Sequence, residues 1–236
     1  MMAVTPAVVE AAAGPGLHIP DGFLSTPVAI AGWVATIAVL AVAVRISNRR
    51  LNERAVPLMG VMAAFIFAAQ MMNFPVAGGT SGHMLGGALA AILLGPWAAI
   101  IVMTAVVGLQ AVLFQDGGIA VLGVNVFNMG ILTALVGYAI YRVAQPLVRD
   151  NRMLGLGVAF VAAWVTVEVA AIATALQLAV SGTSPLDVAL PAMVGVHALI
   201  GIGEGLLTAA AIGFIASTRA DLLPDAAPAA SSRVQA

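Results

Sequence analysis

The sequence carries three histidines and no cysteine, so a metal site here must be built from imidazoles, carboxylates and backbone nitrogens. His18 stands in the segment LHIPDGF, and His83 closes the loop NFPVAGGTSGH. A single histidine at a helix end usually makes a local hydrogen bond. Two on one face of a chain that offers no other soft donor suit a borderline divalent ion such as Ni²⁺ or Co²⁺. Around His83, Asn73, Thr80 and Ser81 can orient the imidazole by hydrogen bonding or can simply satisfy the loop's own backbone. Asp116, in a DGG turn after Phe114, either supports the site or caps the turn, with capping favoured. Asn125 and Asn128 open a helix at the same end, where they close the pocket or serve as N-cap and interhelical hydrogen-bonding groups. His197, Glu168 and Glu204 fall inside apolar blocks, where a charge costs at least about 2.5–3.5 kcal/mol. They read mainly as buried structural polar groups, separated by depth from the two outer histidines, with a conformational relay as the alternative.

The elements that position these residues follow from composition. Hydrophobic residues make up 62% of 236 positions and charged residues 8%, too little polar surface to cover a soluble fold. Long unbroken apolar blocks, rather than two-residue alternation, specify membrane helices and not a barrel. The blocks fall near 27–45, 57–72, 84–95, 97–115, 124–142, 153–180 and 188–217, which predicts an all-α integral membrane protein of seven helices. The third block is too short to cross hydrocarbon at about 1.5 Å per residue and must begin deep, below the preceding loop. A net charge of −1 without any lysine gives a nucleic-acid partner no electrostatic footprint. Lipid is the expected surroundings.

All nine arginines lie in three segments: Arg45 to Arg54, Arg142 to Arg152, and Arg219 with Arg233. With seven spans these share one face, which sets the N-terminus outside and the C-terminus in the cytoplasm. The opposite face holds Glu10, Asp21, Asp116 and Asp187. The predicted organisation is a leading segment 1–16 that makes a poor signal peptide, a membrane domain over 17–218, and a disordered cytoplasmic tail over 219–236. Ala31, Ala35 and Ala38 form a small-residue stripe on the first helix that permits close helix approach.

The blocks LHIPDGFLS, NFPVAGGTSGHMLGG, LQAVLFQDGGIAVLGVNVFNMG and HALIGIGEGLLT keep their order across residues 17–208. In this they resemble the CbiM/NikM family, the substrate-capturing membrane subunits of cobalt and nickel energy-coupling factor transporters. The resemblance implies a six-helix substrate-binding core with an extra N-terminal helix, a bacterial inner-membrane location, and Co²⁺ or Ni²⁺ as cargo held in a plane by four nitrogens. Carried onto this sequence, those are the terminal amine of residue 17, the backbone and ring nitrogens of His18, and a ring nitrogen of His83. Amine, deprotonated amide and imidazole close fused five- and six-membered rings that hold three nitrogens in one plane, a set suited to Ni²⁺, Cu²⁺ or low-spin Co²⁺. Position 17 is Leu where the family has Met. This departure is met if codon 17 is a leucine-type initiator read as Met, or if residues 1–16 are removed.

By the same resemblance the partners are a coupling membrane subunit, which the Ala31/Ala35/Ala38 stripe would face, two ATPase subunits, and a small auxiliary membrane protein. No GxxxxGK[ST] loop occurs, so the chain is expected to hydrolyse no ATP and to be no enzyme. Two rivals differ in class. Gly79-Thr80-Ser81-Gly82 matches the GxSG nucleophile motif of rhomboid intramembrane proteases, with His197 as partner, but Gly201 and Gly205 fall one place later than that family's helix requires. A vitamin-binding subunit of the same transporter class would call for a larger aromatic cavity, and aromatics are 6% here. Ligand identity alone does not separate cobalt from nickel.

Overall fold

The computed structural model describes residues 18–51, 55–71, 74–75, 81–148 and 151–223, and over these the chain is helical apart from one two-residue strand pair. Helix α1 spans Thr26–Arg50 and α2 spans Ala55–Gln70. The strands β1 (Phe74–Pro75) and β2 (Ser81–Gly82) pair antiparallel, with Phe74 opposite Gly82. Then follow α3 (Gly87–Leu94), α4 (Pro96–Leu113), α5 (Leu122–Val148), α6 (Arg152–Val180) and α7 (Leu186–Thr218). Each apolar block of the sequence falls on one helix. Five of them, α1, α4, α5, α6 and α7, are long and apolar enough to cross a membrane, and α2 is a shorter apolar helix. After α7 a 3₁₀ turn over Ala220–Leu222 carries an Arg219–Asp221 ion pair at 2.8 Å, so the disordered tail expected from Arg219 starts with a folded turn. Residues 1–17 and 224–236 lie outside the described residues.

The short α3 sits at the centre. Ala88, Ala90, Ala91 and Ile92 are wholly buried, and α4, α5 and α6 surround them. Close approach rather than a hydrophobic driving force must hold helices together in lipid, and it depends on small residues at the crossings. At Gly137 of α5 an added Cβ would stand 2.8 Å from the Ala88 Cβ and 3.0 Å from its Cα, so the α3 backbone rests directly on α5. The turn that opens α3 is satisfied from α7. Glu204, 1% exposed, accepts hydrogen bonds from Leu85 N (Oε2, 2.8 Å) and Gly86 N (Oε1, 2.6 Å), while the Gln70 Nε2 donates to the Leu85 carbonyl at 2.7 Å. Glu204 is therefore a structural anchor for the re-entrant turn. Glu168 is buried too, and its carboxylate oxygens make no hydrogen bond among the described residues.

Helix α5 contains a π-helical segment over Phe127–Leu132, a register change of the kind that recurs at functional sites. Asn128 lies inside this segment and Asn125 just before it, and the two bond to different neighbours. Helix α1 packs on the start of α5 through the Thr36 Oγ1 donating to Gly123 O (2.6 Å) and the Trp33 Nε1 donating to Ala120 O (2.9 Å). Of the alanine stripe, Ala35 is half-buried while Ala31 and Ala38 are exposed beside Ile30, Val34 and Ile37. That apolar row faces lipid or another membrane helix.

Replacing Gly137 with Leu should displace α3 and cost about 2 kcal/mol or more, whereas Gly157→Ala on α6, where nothing lies within 4 Å of the new Cβ, should be neutral or slightly stabilising. Thermal unfolding of the two purified variants in detergent checks this, and equal melting temperatures would contradict the packing described.

Candidate metal centre

Residues 18–24 form a hook ahead of α1, which the turn between α4 and α5 clasps. Gly117, at φ +94°, makes the contact possible: a Cβ there would stand 2.7 Å from the His18 Cβ. Asp116 holds His18 twice. Its Oδ1 accepts from the His18 backbone N–H at 3.2 Å, and its carbonyl lies 3.1 Å from the His18 Nδ1. Asn125 reads the next residue through its main chain, accepting from Ile19 N at 3.1 Å and donating to Ile19 O at 3.0 Å, and Gly118 N adds a bond to Ile19 O at 2.9 Å. Asp21 accepts from Ile119 N, Ala120 N and Val121 N at 2.9–3.3 Å, so a carboxylate sits at the N-terminus of α5, where exposed N–H groups favour negative charge. Thr183 closes the hook by donating to Phe23 O.

His83 leaves β2 and enters the bundle just before the turn fixed by Glu204. Its Nδ1 lies 2.7 Å from the Met84 carbonyl. His18 and His83 are 5% and 7% exposed, and their rings meet edge to face with centroids 5.0 Å apart at 62°. Where Nδ1 faces a carbonyl, the neutral ring is assigned as its Nδ1–H tautomer, which leaves Nε2 as the acceptor nitrogen. The His18 Nε2 is buried and makes no hydrogen bond among the described residues. Burial pushes the His18 imidazole below its ordinary value, against the opposing pull of Asp116, so the ring is uncharged and able to ligate at neutral pH.

The two rings line a cavity of about 90 Å³ together with Asn125, Asn128, Thr174, Met129, Met193 and His197. This corrects two readings of the sequence. His197 is not cut off from the other histidines, because one cavity joins all three. Met129 and Met193, whose thioethers are soft donors, also line the cavity, and an inventory of imidazoles, carboxylates and backbone nitrogens leaves them out; Met193 and His197, one helical turn apart, were the available signal. Among the described residues no three His, Asp or Glu side chains converge to metal-holding distance.

The other predicted residues separate clearly. Asn125 and Asp116 act on the hook. Asn128 pairs with α6, donating to Thr174 Oγ1 (3.2 Å) and Gln177 Oε1 (2.7 Å) and accepting from Gln177 Nε2 (2.8 Å), the interhelical alternative. Ser81 lies in β2, while Leu17, Asn73 and Thr80 lie outside the described residues. Asp21 entered the sequence reading only as an acidic residue of one face, and nothing in its type alone announced the clasp.

Comparison with known proteins was made on this geometry. The sequence model of the CbiM family, described as the cobalt uptake substrate-specific transmembrane region, matches residues 18–222. A putative metal transport protein of Haloquadratum walsbyi is 42% identical over 88% of this chain and 93% of its own length. A putative fused nickel transport protein of Archaeoglobus fulgidus is also 42% identical, over 88% of this chain and 68% of its own. The crystal structure of a truncated transition metal transporter superposes with a TM-score of 0.77 at 36% identity, covering 85% of this chain and 98% of the other. A cavity of about 90 Å³ is far below the roughly 300–1,000 Å³ of organic-ligand pockets, and these relatives are metal transporters, so neither the vitamin nor the protease reading is supported. Fold, histidine-lined cavity and relatives agree: this multi-pass membrane chain belongs to the CbiM family, a substrate-specific component of cobalt and nickel transport.

Proposed function

We propose that the chain is the substrate-binding subunit of an energy-coupling factor importer, which captures Co²⁺ or Ni²⁺ on the outer side of the membrane through His18 and His83. The observation that carries this reading is the ring contact between two buried imidazoles brought together from segments far apart in sequence. Such a pair has no need to meet for packing alone, and its imidazole nitrogens suit borderline divalent ions. The planar set would be completed by the His18 amide nitrogen and by an amine at residue 17, exposed by initiation there or by removal of residues 1–16. Asp116 engages both His18 nitrogens that the fused chelate uses, the amide and Nδ1. Loading would thus exchange these hydrogen bonds for coordination, with the amide proton released to solvent and the ring proton moved from Nδ1 to Nε2.

Seven spans with the arginine-bearing segments in the cytoplasm support the outward position of the hook. With no phosphate-binding loop in the sequence, the driving ATP hydrolysis falls to two partner ATPases, joined through a coupling membrane subunit and accompanied by a small auxiliary membrane protein. The outward row on α1, with Ala31 and Ala38, is the face offered to such a partner.

His18→Gln and His83→Gln should each weaken Ni²⁺ or Co²⁺ binding by at least about 100-fold, and Asn125→Ala by about 10–100-fold through loss of the clasp. Equilibrium dialysis with elemental analysis measures all three, and full binding by either histidine variant would sink the site. Intact-mass measurement of the natively produced chain should find residue 17 at its terminus; retention of 1–16 with full affinity would remove the amine from the set.

The cysteine-free sequence allows a direct test of orientation. In spheroplasts, an impermeant maleimide should label Asp187→Cys at once and Asp221→Cys only after permeabilisation. The reverse pattern would invert the assignment.

A further inference from the structure

We propose that His197, with the thioether sulfurs of Met193 and Met129, forms an inner station that receives the cation after capture by His18 and His83. The inference rests on the capture reading above and adds the next donor set on the route inward. All three histidines and both methionines line one cavity, so an ion leaving the outer pair meets His197 without crossing a packed layer. The His197 ring is fixed in place, with Nδ1 2.7 Å from the carbonyl of Met193, so that Nε2 is the nitrogen left to coordinate. Met193 lies one helical turn before His197, so the two side chains project from one side of α7, and both residues line the cavity.

The neighbouring alternatives are occupied or inert. Both oxygens of Glu204 are engaged by Leu85 and Gly86, Asn128 is committed to Thr174 and Gln177, and the remaining wall includes the methyl groups of Ala170 and Ala171. Because no three His, Asp or Glu side chains converge among the described residues, His197 is placed as a successive ligand and not as a third member of the capture pair. One imidazole with two thioethers is a softer and weaker donor set than four nitrogens in a plane. It can hold a borderline transition-metal ion long enough to pass it on, and it offers nothing to Mg²⁺ or Ca²⁺.

The test replaces the chromosomal gene with His197→Gln, His197→Cys or Met193→Leu variants, beside His18→Gln and His83→Gln as reference variants. Initial uptake of radioactive Ni²⁺ by cells and equilibrium Ni²⁺ affinity of the purified full chain are both read. Glutamine keeps a donor toward the Met193 carbonyl but cannot ligate well, so His197→Gln should lower uptake by about tenfold or more while affinity shifts by less than about threefold. Cysteine supplies a ligating sulfur, so His197→Cys should restore uptake to within about threefold, with a thiolate-to-nickel absorption band on the loaded chain. Met193→Leu should fall between.

Wild-type uptake by His197→Gln, alongside dead histidine reference variants, would overturn the inner station and leave the capture reading standing. Loss of equilibrium affinity in His197→Gln as deep as in His18→Gln would also overturn it, by placing His197 in the capture set. No rescue and no band with cysteine would reduce His197 to a structural role. Intact binding in His18→Gln and His83→Gln would instead defeat the capture reading itself.

Discussion

One carboxylate holds the centre of this molecule in place. Glu204 takes the two main-chain N–H groups that open α3, at a depth where water cannot substitute and an unsatisfied donor costs several kcal/mol. Because those groups are satisfied, the chain can run non-helical backbone below the surface, start an eight-residue helix inside the bundle and pack it against α4, α5 and α6. His83 enters at that turn, so its place in the cavity is inherited from the same anchor. Gly137 fixes the other side by letting α3 lie directly on α5.

The hook is held by a different logic. Most of its partners are main-chain groups: Asn125 bonds to both polar atoms of Ile19, Asp21 spans three successive N–H groups, and Asp116 bonds to the His18 amide. Reading a peptide through its backbone fixes position and direction while leaving side chains free for other work. The His18 ring is thereby delivered to His83 from a segment that has no helix of its own.

Much of this was legible in the sequence, for a physical reason. Lipid imposes long apolar blocks, and all seven blocks coincide with helices because the signal spans a whole element and not a single residue. The convergence of His18 and His83 was accessible through their shared arginine-free face. The position of His197 was not, because block boundaries report order along the membrane normal and miss how far a re-entrant loop descends. Nor could Asp116 and Asn128 be assigned from residue type: one aspartate supports the hook where capping was favoured, and one asparagine bonds across helices, by contacts that only the π segment of α5 and the turn at Gly117 determine.

The chemistry of the cavity lining has a consequence for discrimination. Three histidines and two methionines line it, and among the described residues no carboxylate does. An ion held there gives up water for nitrogen or sulfur and gains no charged oxygen in return. Nickel and cobalt recover that loss through such donors, whereas magnesium dehydrates reluctantly and finds no oxygen cage to repay it. The absence of carboxylates from this wall thus turns away the abundant hard cations that outnumber the cargo.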